Sequence, residues 1–149
     1  MGKAEEEAQV DWLRWTKPHL VAEFIKQSKL GTHEGKKILG MLEGHAVKIA
    51  KGEATPYEIP HESVHDTVNY IKAHGTRADK AMLKRAMKKM GGEEAFVKIA
   101  TKYVKPRMVD SEGKYLYPKE ANALTKSEYS KMRTWLKTFW DHVLKNILP

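Results

Sequence analysis

The stretch Thr55 to Gly75, TPYEIPHESVHDTVNYIKAHG, constrains this chain more than any other. It carries His61-Glu62-Ser63-Val64-His65, an HExxH pattern, inside a segment with helix start and stop signals. Residues four apart share one face of a helix, so His61 and His65 can aim their imidazoles at one metal ion with Glu62 beside it. Neutral imidazole nitrogens suit Zn²⁺, and three protein ligands leave a fourth position open to water. A carboxylate next to that position accepts the water's proton and later passes it to a leaving amine, which makes Glu62 the candidate general base. The pattern arises by chance in roughly 3% of chains of this length and composition. The flanking sequence therefore carries the decision.

Thr55-Pro56-Tyr57-Glu58 reads as a capping box with proline at the first helical position. Pro60 removes one further backbone donor, so the helix starts either in this turn or at Pro60 itself. In both cases His61 falls in an early turn and the helix runs to His74, ended by Gly75. Upstream, His45 to Ala50 (HAVKIA) alternates between apolar and polar residues and is bounded by Gly44 and Gly52, a short strand leading into the motif. Downstream, Gly91-Gly92 precedes EEAFVKIATKYVK, whose Phe96, Val97, Ile99, Ala100, Tyr103 and Val104 form one helical stripe. At about 100° per residue, Glu93 lies some 40° from the centre of that stripe and Glu94 about 140° from it. Glu93 is thus expected to point inward, where a carboxylate needs a partner such as a metal ion held by two histidines. A purely electrostatic role at the helix N-terminus is the alternative for Glu93, and Glu94 is the alternative ligand.

A helical HESVH, a strand before it and a Glu opening another helix about thirty residues later together resemble the zincin metallopeptidases of the glutamate-ligand type. The small size, the EEAF helix and a Trp- and Lys-rich C-terminal helix resemble the compact HExxH domains of phage and bacterial polymorphic-toxin proteins. The resemblance covers roughly residues 45 to 105. It implies a mainly α, zincin-like helical domain with a minimal β-sheet or hairpin. It further implies zinc ligands His61, His65 and Glu93, with Glu62 as the general base, and peptide-bond hydrolysis through a metal-activated water. The metzincin pattern is absent, since His74, the next histidine, follows His65 without the intervening glycine.

The rest of the chain is read as one domain over residues 1–149, because 41% hydrophobic residues in 149 suffice for a core. Three short helices are expected at its start: Glu5 to Trp15, His19 to Leu30, and a Thr32-capped helix ending at Gly44. The segment RADKAMLKRAMKKM is a basic amphipathic helix, and Lys105 to Leu124 is a loop or short hairpin in which Met108-Val109 faces Tyr115-Leu116. Within it, Tyr115 and Tyr117 are possible oxyanion donors. A capping box at Thr125 to Glu128 opens an amphipathic helix over about 126–147.

Zero cysteines confine any metal to His, Asp and Glu ligands. His19, His33, His45, His74 and His142 have no ligand-like spacing, and Asp66 is expected at the surface. The net charge of +8 favours an acidic partner or nucleic acid at the Lys/Arg-rich helices. No apolar run reaches the roughly eighteen residues of a membrane span, and the first ten residues lack a signal-peptide layout, so a cytoplasmic or virion-associated protein is expected. Phosphate-binding glycine loops and a serine or cysteine nucleophile system have no support. Two functional readings follow: a zinc metallopeptidase, and a basic, non-enzymatic phage-type or nucleic-acid-associated protein with an incidental HExxH.

Overall fold

The computed structural model describes residues 1–119 and 124–130. Its elements run α1 (Lys3–Thr16), β1 (Val21–Ile25), β2 (Thr32–His33), β3 (Lys36–Lys37), β4 (Gly40–Glu43), β5 (Ala46–Ala50), α2 (Glu58–His74), α3 (Arg77–Met90) and α4 (Glu93–Val104). Single 3-10 turns occupy Gln27–Lys29 and Lys105–Arg107. The alternating segment before the motif is a strand, as expected, and it is the centre of the sheet. It pairs in parallel with β1, from Val21 opposite Ala46 to Ile25 opposite Ala50, and antiparallel with β4, from Gly40 opposite Ile49 to Glu43 opposite Ala46. Val47, Ile49 and Ala50 are fully buried.

Mainly helical architecture with a small mixed sheet agrees with the sequence reading, but two of the three opening helices do not exist. The region from His19 to Leu30 forms β1 and a 3-10 turn. Its apolar positions fit a helical stripe, yet Leu20, Ala22 and Phe24 also alternate with the exposed Val21 and Glu23, and β5 supplies the ladder that favours the strand. The region from Thr32 to Gly44 forms β2, β3 and β4. Glu34 and Gly35, both at positive φ (51° and 77°), make the two-residue reversal between β2 and β3, and Gly44 at φ 60° begins the one between β4 and β5. Glycines at 31, 35, 40 and 44 punctuate this stretch more densely than a helix tolerates.

Several other element boundaries coincide with capping and turn residues. α2 ends at Gly75, whose N–H bonds the Ile71 carbonyl at 2.8 Å. α3 is capped by a reciprocal Thr76–Asp79 box and stopped by Gly91 in the left-handed conformation. Val109 bridges Tyr115, with Leu116 N–H bonded to Met108 O at 3.0 Å. Thr125 and Glu128 exchange backbone-to-side-chain bonds of 3.0 and 3.1 Å; residues 131–147 of the helix expected there lie outside the described residues. No helix among the described residues is long and apolar enough to cross a membrane.

The core joins Val47 and Ile49 of the sheet to Ile59, Val64, Val68 and Ile71 of α2, to Phe96, Val97 and Ala100 of α4, and to Trp12 and Leu13 of α1. α3 contributes one fully buried residue, Leu83. The first turn of α2 rests directly on β4, and Gly40 makes this possible. A Cβ at Gly40 would lie 2.9 Å from the Cβ of Glu58, where neither backbone can yield without moving. Gly40→Ala is therefore expected to cost about 1–3 kcal/mol as an overpacked contact. Urea denaturation measures this, and an unchanged midpoint would mean that β4 and α2 separate freely.

Candidate metal centre

α2 begins with the residues that carry the site. The Glu58 carboxylate accepts from the Thr55 hydroxyl at 2.7 Å and from the Thr55 N–H, while the Thr55 hydroxyl oxygen accepts from Tyr57 N–H at 3.3 Å. Pro60 sits in the first turn, where a backbone N–H would have had no intrahelical acceptor, so it costs the helix nothing. The His61 N–H then bonds the Tyr57 carbonyl at 3.0 Å. Residues 59 to 64 are all buried, an unusual run for a helix start. β4 and β5 pack on this helix from one direction and α4 from another.

The two histidines and one carboxylate converge. His61 Nε2 lies 3.0 Å from Glu94 Oε1, and His65 Nε2 lies 3.3 Å from Glu94 Oε2. The imidazole centroids are 4.8 Å apart and nearly perpendicular. One ligand atom from each residue can be chosen so that all lie within 4.8 Å of one another.

The convergent carboxylate is Glu94, not Glu93, which forms an ion pair with Lys72 further along α2. The correction has a geometric cause. α4 packs against both α2 and α3, so the centre of its apolar stripe points between them. The line facing the histidines is offset to one edge, where Glu94 and Thr101, seven residues apart, share a face. Glu93 is the less exposed of the two side chains, 37% against 62%, as the stripe implies, but a lysine covers it.

Thr101 also bears on the tautomer of His61. Its hydroxyl donates to the Val97 carbonyl at 2.7 Å, and its oxygen lies 3.4 Å from His61 Nδ1. A neutral ring protonated at Nε2 donates to Glu94, whereas one protonated at Nδ1 presents its Nε2 lone pair to the carboxylate, the form that suits a shared metal ion. Full protonation of the ring is opposed: burial, and then the charge of His65, lower the His61 pKa to about 4 against the pull of Glu94. His61, His65 and Glu94 form a donor set that could hold a metal ion.

Glu62 is buried beside this cluster. Burial, reinforced by the charges of Glu94 and Glu58 and opposed by a hydrogen bond from the Leu42 backbone, raises its pKa to about 7. In front of it opens a cleft of about 910 Å³ walled by the β2–β3 hairpin, β4 and the first turns of α2 and α4.

Other candidates fall elsewhere. Asp66 is largely covered, contrary to expectation, and accepts from Lys17 Nζ at 2.9 Å while its same oxygen meets His19 Nε2 at 2.9 Å. Lys17 is buried, donates also to Thr67 at 2.7 Å, and has a pKa lowered by burial and partly restored by Asp66. Tyr117 accepts from the Gln9 amide at 2.7 Å, and Tyr115 is exposed on its hairpin; neither lines the cleft. The residue that sequence reasoning missed is Tyr57. Its ring lies 4.7 Å from that of His61, and it lines the cleft. The signal was present, since 57, 61 and 65 continue one i, i+4 row.

With metal removed by chelation, the two pKa shifts act on stability in opposite senses. His61 binds its proton more readily unfolded, near 6.5, than folded, near 4, so it makes stability rise with pH across that window. Glu62 holds its proton up to about 7 when folded but only to 4.5 unfolded, so it makes stability fall between those values. Metal-free Glu62→Gln is accordingly expected to exceed wild type at about pH 8 by on the order of 3 kcal/mol, with the gap closing by about pH 4. Denaturant unfolding at both pH values checks this, and equal stability at the higher pH contradicts it.

Comparison with protein-family models, with curated proteins and with solved structures finds no match.

Proposed function

We propose that this chain is a zincin-like, zinc-dependent peptide hydrolase in which His61, His65 and Glu94 hold the metal and Glu62 is the general base. The observation that carries the reading is the convergence of two imidazole nitrogens on both oxygens of one carboxylate, with a buried, high-pKa glutamate alongside. Two histidines and a carboxylate in a cysteine-free chain are a donor set suited to Zn²⁺ in an open, catalytic site. When bound, the metal supplies a Lewis acid that polarises a carbonyl and lowers the pKa of water. The chain supplies the rest. A carboxylate with a pKa of about 7 is matched to taking a proton from water near neutrality and returning it to an amine.

The edge of β4 supports a peptide as substrate. Ala50 N–H bonds Leu39 O at 2.9 Å, and the β4–β5 register then leaves the backbone groups of Gly40 and the carbonyl of Leu42 directed away from β5, while the Leu42 N–H is turned to Glu62. Among the described residues no strand pairs with that outer edge. An extended peptide adding there would run past Glu62 and form main-chain bonds without regard to its sequence.

The expected metal content is one zinc per chain, lost in His61→Ala and in Glu94→Ala and kept in Glu93→Gln. Glu62→Gln is expected to keep zinc and lose hydrolysis of a peptide library by about 10²- to 10⁴-fold. Elemental analysis and mass-spectrometric cleavage assays read these outcomes. Zinc retained by Glu94→Ala but lost from Glu93→Gln would return the third ligand to Glu93; no zinc in wild type after metal is added back would remove the hydrolase reading.

A second reading has its own observation. Arg77, Lys80, Lys84, Arg85, Lys88 and Lys89 of α3 are all exposed. A polyanion-binding surface there is expected to bind duplex DNA with an affinity that falls log-linearly with salt. Retention of that binding in Glu62→Gln, in a chain that takes up no metal, would favour the non-enzymatic reading.

A further inference from the structure

We propose that the Tyr57 hydroxyl is a further catalytic group of this site, the hydrogen-bond donor to the oxygen on which negative charge develops as a peptide carbonyl is attacked. The inference rests on the hydrolase reading above. Two observations place the group there. Tyr57 has helical backbone angles (φ −86°, ψ −36°), so the i, i+4 geometry of His61 and His65 extends back through it by one turn. Its ring lies against the His61 ring, 4.7 Å between centroids and 32° between planes, which fixes the phenol relative to the metal-binding nitrogens.

The second observation concerns the hydroxyl itself. It is buried and has no hydrogen-bond partner among the described residues. Such groups are rare in folded proteins and call for an explanation. The other unpartnered side-chain atom is the amide oxygen of Gln9, whose nitrogen is bonded twice, at 2.7 and 2.8 Å. Tyr57 has no such compensation in its side chain, and the residue lines the cleft together with His61 and Glu62. A buried O–H directed by its ring stack, with its acceptor missing, is what a site for a transient oxyanion requires before the substrate arrives.

In the proposed step, water adds to the carbonyl carbon as Glu62 takes its proton, and the π pair moves onto the carbonyl oxygen. Tyr57 donates a hydrogen bond to that oxygen and keeps its own proton. The pair returns as the C–N bond breaks, and Glu62 delivers its proton to the amine. No oxidant or further reactant is needed.

The test uses the full chain loaded with Co²⁺, wild type beside Tyr57→Phe, which keeps the ring and its stacking and removes only the hydroxyl. Cobalt uptake is read from visible absorption, and acetohydroxamate, whose oxygens stand in for the oxyanion, is titrated against that spectrum. Equal cobalt uptake is expected, with acetohydroxamate binding roughly 10- to 100-fold weaker in Tyr57→Phe. Thermal unfolding of the variant should be unchanged or slightly later, since the lost hydroxyl has no partner, whereas a structural role would bring it earlier. Equal acetohydroxamate affinities overturn the proposal and leave the metal centre standing. Loss of cobalt in Tyr57→Phe alone overturns it by making the hydroxyl part of the metal-binding set. Absence of cobalt from wild type removes the hydrolase reading and this proposal with it.

Discussion

The structure depends on a clasp between the early turns of α2 and the first turn of α4, in which one carboxylate faces two imidazoles. Glu94 approaches both His61 and His65 within 3.3 Å, while His61 and Glu62 are buried in the same turn of helix. None of these groups has the environment that an isolated side chain prefers. His61 is held neutral and the pKa of Glu62 is raised to about 7, each mainly by burial. Hydrophobic residues of similar size would pack this turn more cheaply. A conflict of this kind between local chemistry and stability is concentrated at functional sites, where the rest of the fold compensates for it.

The compensation can be traced element by element. β5 lies at the sheet centre with Val47 and Ile49 fully buried, and it delivers the chain to Thr55, where the Glu58 contacts organise the start of α2. Gly40 lets β4 approach that start closely enough for the Leu42 backbone to reach Glu62. On the opposite side, α3 leads away from α2 and Gly91 and Gly92, at φ 97° and 128°, turn the chain back. Both angles are in the region that disfavours side chains, so this reversal depends on glycine. It sets the phase at which α4 begins, and that phase selects Glu94 for the clasp and leaves Glu93 to Lys72. Behind the site, Lys17 and His19 hold Asp66 next to His65, tying α2 to the segment that leads into β1.

Much of this was legible in the sequence where the signals were local. The span of α2, its glycine stop, the central strand, the basic α3 and the bridge between Val109 and Tyr115 all follow from periodicity and turn residues within a few positions. What failed depended on partners far away in the chain. His19 to Leu30 became a strand because β5, more than twenty residues later, offers it a parallel ladder. The helix expected from Thr32 to Gly44 passes over Gly35 and Gly40 in its interior, the first of which occupies a reversal at positive φ. Periodicity favours Glu93 because a helical stripe gives the mean buried direction of a helix and does not say which of two neighbours faces a particular partner. Asp66 reads as a surface residue because a buried lysine partner 49 residues away has no sequence signature.

The position of Glu62 links the sheet to the chemistry. The backbone of Leu42, on the strand whose outer edge has no partner among the described residues, favours the ionised form of its carboxylate. That influence lowers a pKa which burial and Glu94 raise, so the ionisation of Glu62 responds to the position of β4. On the hydrolase reading, an extended peptide pairing with this edge displaces water from the carboxylate's surroundings and strengthens every charge interaction there. Binding and proton transfer then share one element. On that reading, the edge that would recognise a peptide backbone also tunes the group that would accept the proton, and a substrate unable to pair with β4 would meet a base that is less well prepared.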